Sequence, residues 1–165
     1  MTDFPTIETI DFKALVPSAY LNRLKAAIDL MRTPARYYFL QNSGSADLTT
    51  SSASFADLGA NFTVASLVLS ENPGGNANPV LIRLYAGRMT TAAATCQFDL
   101  LIDGVSVRGG TAVWIGATNV PVNLEWVADG LTGGTHSFKI QWKSASAALS
   151  TLYSANGIWF EIVEQ

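Results

Sequence analysis

Two hydrophobic periods divide this chain. Across VPSAYLNRLKAAIDLMRTP (16–34), Leu21, Leu24, Ile28 and Met31 recur three, four and three residues apart, the spacing of one helical face. Pro17 and Ser18 supply start signals, with Ser18 as N-cap, and Pro34 supplies a stop, so a helix is expected over about 18–32. The spacing is the a/d seam of two heptads, too short to fold alone. The seam therefore packs on the chain's own β-region, gathers copies into a short parallel bundle, or docks on a larger partner.

From Ala35 onward the period becomes two. RYYFLQ (36–41) opens the β-region, and the Ser/Thr-rich NSGSADLTTSSAS reads as loop with at most a short strand. NFTVASLVL, PVLIRLYAGRM and TCQFDLLI follow, then a tight Asp103-Gly104 turn into VSVR, because Asp-Gly tolerates the positive φ angles of a two-residue hairpin. TAVWI, VNLEWVA, THSFKIQWK and GIWFEIV complete eight or nine strands at spacings typical of a sandwich. Residues 1–34 are thus read as leader and helical anchor, and 35–165 as a β-domain.

Alternation assigns faces. Val122, Leu124 and Trp126 oppose Asn123 and Glu125, and Phe138, Ile140 and Trp142 oppose Ser137, Lys139, Gln141 and Lys143. One dry and one wet face per strand is the habit of antiparallel sheets packed face to face, which disfavours parallel α/β designs. LIRLYAG and GIWFEIV depart from it, with Leu81 and Tyr85, and Trp159 and Val163, on the faces turned away from the core. Those faces call for a cover: the helix, a loop or a neighbouring subunit.

Composition narrows the function classes. Charged residues make up 14% of the 165, against roughly 25% in ordinary soluble domains, so part of the surface is expected to be covered by a partner. Net charge is -3 with scattered Lys and Arg, which excludes a dense phosphate-neutralising patch and makes nucleic acid a poor ligand. The acidic TDFPTIETIDF after Met1 lacks the basic start of a signal peptide, and no apolar run approaches the ~20 residues of a membrane span. A chain made and kept soluble is expected, with no membrane insertion. The lone Cys96 reads as a small buried apolar residue.

Catalytic chemistry is sparse. A triad or histidine metal site would have to be built on the single His136, which shares core parity with Phe138 and sits behind Gly133-Gly134, where it is expected to cap the core or bond to backbone. Asp99 and Asp103 flank a turn, and Glu125, Asp129 and Glu161 lie on outward positions or in loops, so no acid pair faces across a cleft and solvated roles are expected. Gly74-Gly75, Gly109-Gly110 and Gly133-Gly134 precede no helix and read as turns rather than phosphate cradles. Asp47 and Asp57 sit in loops without the acidic density that calcium favours. No cofactor is expected. Among aromatics, Trp126 and Trp142 keep core parity, whereas Trp159, Tyr85 and Tyr37 or Tyr38 break it and mark a subunit interface or a sugar platform; Trp114 stays open between core and surface.

The sequence PSAYLNRLKAAIDLMRTP, followed by FDLLIDGVSVRGG, LEWVADGLTGGTHSFKIQWKS and a closing IWFEIVEQ, resembles tailed-bacteriophage virion proteins that join a short helical anchor to a jelly-roll domain. Such domains look like the trimeric heads of the tumour necrosis factor and complement-type group. Leu131, Gly134 and His136 match the turn that leads into the penultimate strand of those heads. The resemblance implies a mainly β, antiparallel jelly-roll sandwich of about eight strands with one N-terminal α-helix. It also implies a non-enzymatic homotrimer in the virion, bound to other virion proteins as capsid decoration or as fibre, collar or baseplate material. Leu21, Leu24, Ile28, Met31, Tyr85 and Trp159 then form the anchor and oligomer interface. The alternative is a carbohydrate- or receptor-binding sandwich of a tail tip, meeting host-surface glycan through exposed loop aromatics. An enzyme is the least favoured reading.

Overall fold

A computed structural model describes residues 34–165 except 73, 93–94, 108–111 and 116–118, with 112–115 described by backbone. The expected helix, with Leu21, Leu24, Ile28 and Met31, lies outside the described residues.

Two antiparallel sheets face each other. The first is built from β1 (Arg36–Gln41), β12 (Ile158–Glu164), β5 (Val80–Thr91) and β9 (Val120–Ala128), with β11 (Ser150–Leu152) and β2 (Leu48–Thr50) continuing beside the far end of β5. In the second, β10 (Gly134–Ser144) holds β4 (Thr63–Leu69) and β3 (Ala56–Asp57) on one edge and β6 (Thr95–Ile102) on the other; β6 then pairs β7 (Val105–Ser106) and β8 (Ala112–Ile115). Leaving out the short β2, β3, β7 and β11, the remaining strands run first-eighth-third-sixth in one sheet and second-seventh-fourth-fifth in the other. That is jelly-roll connectivity, so the chain is a mainly β, antiparallel jelly-roll sandwich. The Ser/Thr-rich stretch contributes only the three-residue β2, and the two-residue β3 follows just after it.

Alternation places the core between the sheets. Ile82, Leu84 and Phe160 from one sheet meet Phe98, Leu100, Phe138 and Ile140 from the other, all fully buried. Each such side chain contributes about 1.5–3 kcal/mol by leaving water. Trp126 and Trp142 are buried as their parity requires, and Trp142 stacks on Phe98 with ring centroids 5.9 Å apart. Trp114 lies on β8 opposite Cys96. Phe62 packs edge to face on Phe39 and lies tilted against Phe160, with ring centroids 5.5 and 6.1 Å apart.

The Asp103-Gly104 turn forms as expected: Ile102 pairs with Val105, and φ is 51° and 78° at the two turn residues. Both values lie in the left-handed region that a two-residue hairpin of this twist demands. Gly133 serves a different need. A Cβ there would lie 2.4 Å from the Cβ and 2.6 Å from the Cα of Glu71, so the loop before β10 can pass the end of β4 only without a side chain.

Candidate functional site

Register converts single residues into a surface. On the first sheet, β12 sets Trp159 opposite both Leu40 and Tyr85, Glu161 opposite Tyr38 and Arg83, and Val163 opposite Arg36 and Leu81. On the far side of β5, β9 adds Asn123 beside Tyr85, Glu125 beside Arg83 and Val127 beside Leu81. All of these side chains share the parity that points away from the core, so three rows cross four strands on one outer face.

One part of that face is aromatic. Trp159 lies between Tyr85, at 5.7 Å between ring centroids, and Tyr38, at 6.1 Å, each tilted by nearly 50°. Tyr38 and Leu40 are about half exposed (52% and 47%), while Trp159 and Tyr85 are partly covered by each other and by Tyr38. The two sequence candidates Tyr85 and Trp159, 74 residues apart in the chain, are thus direct neighbours. Tyr38 completes the strip, whereas Tyr37 turns inward and packs edge to face on Phe160. Its hydroxyl donates to Asn61 O, and burial raises its pKa.

The adjacent row is ionic. Glu161 takes a 2.7 Å hydrogen bond from Arg36 Nη2 and stands 3.7 Å from Arg83 Nη1, while Arg83 Nε donates to Glu125 at 2.9 Å. Glu161 was expected on a solvated surface, yet its residue is only 8% exposed. The carboxylate remains compatible with that burial because two guanidinium groups bracket it. Parity alone showed that Glu161 pointed outward; it could not show which cations would be set beside it.

His136 lies elsewhere, at the mouth of β10. One extra residue in β4 between Val64 and Leu67 shifts the register there, and the imidazole is buried. Its Nδ1 is 2.7 Å from Asp103 Oδ2 and its Nε2 is 2.9 Å from Thr132 O. Both partners are acceptors, so the imidazolium satisfies them best. Burial pulls the His136 pKa down, but the bonds to Asp103 and Thr132 and the nearby carboxylate charge outweigh it, leaving the pKa raised. For Asp103, desolvation works upward, while the Ser137 N–H, the His136 bond and charge, and the Ser137 hydroxyl bring the pKa down overall. The clamp ties the β6–β7 turn to β10. The expected backbone bond is present, and the Asp103 partner is additional.

Other acids are similarly committed. Asp99, expected in solvent, is buried and accepts from Ser106 Oγ at 2.9 Å. Asp57 accepts from Gln141 and pairs with Lys139; those two bonds lower its pKa against a smaller desolvation effect. Asp47 accepts from the N–H and hydroxyl of Ser154. Glu164, 1% exposed, accepts from Ser70 N and Oγ and from Ala35 N. Among the described residues, no three His, Cys, Asp or Glu side chains gather to hold a metal. A groove of about 420 Å³ is lined by Asp103, Ser106 and Asp129 as well as by aliphatic Val105, Val107 and Leu131. None of these lining residues is aromatic, whereas the first sheet's outer face combines rings with fixed charges.

No family model and no curated relative matches the sequence. Solved structures of similar shape include "EclA C-terminal domain; sugar-binding protein", 10% identical over 79% of each chain with a TM-score of 0.37. Dimeric latent PorU from Porphyromonas gingivalis is 9% identical, with 81% of this chain matching 13% of that one and a TM-score of 0.41. CBM35 from Paenibacillus barcinonensis is 9% identical, with 74% of this chain matching 95% of that one and a TM-score of 0.33. At these identities and scores the likeness carries nothing about residues or ligands.

Proposed function

We propose that this protein is a non-enzymatic binding module whose first sheet receives a carbohydrate chain on its outer face. The observation that carries this reading is the contiguous strip Tyr38–Trp159–Tyr85 lying against the row Arg36–Glu161–Arg83–Glu125. A sugar ring presents an apolar C–H face and a rim of hydroxyls that both donate and accept. Tilted aromatic rings suit the face, while guanidinium, carboxylate and the Asn123 amide suit the rim. The strip lies on a sheet rather than in loops, so its spacing is set by the backbone ladder and little order has to be gained on binding. Binding rather than catalysis is favoured because Asp47, Asp57, Asp99, Asp103, Glu161 and Glu164 are each engaged in holding the fold.

A glycan array followed by titration calorimetry on the best ligand tests this. Trp159→Ala should weaken binding at least tenfold, as expected for a central aromatic anchor. Gln141→Ala, on the outer face of the opposite sheet, should leave affinity unchanged. Equal affinity for Trp159→Ala, or no glycan bound at millimolar concentration, refutes the reading.

A second reading keeps the virion role. Leu40, Leu81, Val127 and Val163 make the same face apolar around its charges, as a surface buried between subunits or against another virion protein would be. In that role the protein would be a trimeric capsid decoration or tail component.

A further inference from the structure

We propose that two copies of this chain pair edge to edge along β1, antiparallel, with Tyr38 opposite the partner's Tyr38, so that the first sheet runs unbroken through both.

The direction of backbone groups carries the inference. Ala35 continues the β1–β12 register by one position, and there the Glu164 N–H donates to Ala35 O at 2.9 Å. Hydrogen-bonded positions alternate along an antiparallel ladder, so Ala35, Tyr37, Phe39 and Gln41 turn their N–H and C=O groups toward β12. Arg36, Tyr38 and Leu40 turn theirs to the other edge, where no strand among the described residues pairs with β1. The side chains of these three point to the outer face and are all exposed.

A second copy fits that edge in one best register. Residues directly opposite in an antiparallel pair keep their side chains on the same face, so the outer-face residues of one copy must meet those of the other. Setting Tyr38 on the two-fold axis puts each Arg36 opposite the partner's Leu40 and uses all three free backbone positions. Moving the register by two positions either way leaves one of them unpaired. The two Arg36 guanidinium groups then stand at opposite ends of the new ladder, roughly 13 Å apart along the strand direction, and each keeps its own Glu161. The contact is isologous and closes on itself, as two-fold symmetry requires.

Several other edges are blunted. Pro121 on β9 lacks an N–H, Glu125 near its middle would meet its own charge across an axis, and the β5–β9 register breaks between Ala86 and Met89. β4 carries the irregularity opposite His136, while β2, β3 and β7 are two or three residues long. β1 has six regular residues and no Pro, Gly, Lys or bulge. Exposed edges normally carry such devices against pairing; the one charge on β1 is Arg36, and it is already paired with Glu161. The pairing does not depend on sugar binding, although it would join the two aromatic strips across the axis.

Light scattering and sedimentation of the full chain between about 1 and 100 μM should give twice the 17.6 kDa chain mass. Tyr38→Lys, which sets like charges against each other on the axis, should give a monomer with an unchanged far-UV spectrum. Val127→Lys, on the same face but three strands from β1, should remain dimeric. Because Tyr38→Lys could fail to fold, a second arm uses Tyr38→Cys. Mild oxidation should link nearly all of its chains in pairs, while Val127→Cys stays unlinked; the buried Cys96 is silent in both. A monomer or trimer for the unaltered chain overturns the proposal. So does a Tyr38→Cys dimer that fails to cross-link, or dimerisation lost on Val127→Lys.

Discussion

Asp103→Asn isolates the electrostatic part of the His136 clamp. Asn-Gly suits a two-residue hairpin as well as Asp-Gly, so φ of 51° at position 103 stays comfortable, and the amide oxygen can still accept from Ser137 N–H. The 2.7 Å contact between His136 Nδ1 and a carboxylate is lost. With neutral imidazole the variant remains well bonded: the Asn amide donates to Nδ1 while Nε2–H donates to Thr132 O. With imidazolium, the buried charge loses its counter-ion. In the unaltered protein the His136 pKa is raised, so its stabilisation is full below the ordinary value of about 6.5 and disappears as pH climbs through the folded-state value. The Asp103 pKa is lowered, so its share is present above about 3.9 and disappears below that. The clamp therefore stabilises most between about pH 4 and 6.5. A charge-assisted hydrogen bond is worth about 1.5–3 kcal/mol, and the half-exposed Asp103 side chain brings this toward the lower end. Urea unfolding from pH 5 to 9 should show Asp103→Asn less stable by about 1–2 kcal/mol near pH 5.5, shrinking below about 0.5 kcal/mol by pH 8.5. A difference that stays constant across that range refutes the imidazolium assignment.

Three further outcomes are expected. Glu164→Ala strips the acceptor from the N–H groups of Ser70 and Ala35 and should cost roughly 2 kcal/mol or more in urea unfolding, with little change in slope. Gly133→Ala forces a Cβ against the backbone of Glu71 and should cost about 1–3 kcal/mol, with no effect on glycan affinity because the loop lies away from the aromatic strip. Burial pushes the Cys96 thiol up to about 11, so a thiol reagent at pH 8 should label it only when the domain opens, at a rate that tracks unfolding.

Much of the fold was legible in the chain because burial leaves a local trace. Alternation in VNLEWVA and THSFKIQWK assigned Trp126, Phe138, Ile140 and Trp142 to the core, and Asp-Gly announced its turn. The same rule singled out Tyr85 and Trp159 as residues with no place in the core. It failed at Glu161 and Asp99, both read as solvated and both buried, because parity tells which way a side chain points and says nothing about what lies over it. Jelly-roll connectivity came with the resemblance; the alternation alone implied a sandwich.

The sequence by itself thus determined the period of each segment, the side of each strand that faces the core, and the few residues left over. Only the tertiary structure decided which leftovers meet. Tyr85 touches Trp159, Glu161 sits between Arg36 and Arg83, and Asp103 reaches His136, because β12 lies between β1 and β5 and because β10 pairs with β6. A period-two pattern is compatible with many strand partners and registers. The choice among them is made by the summed fit of two whole sheets, a long-range quantity that no short stretch of chain contains.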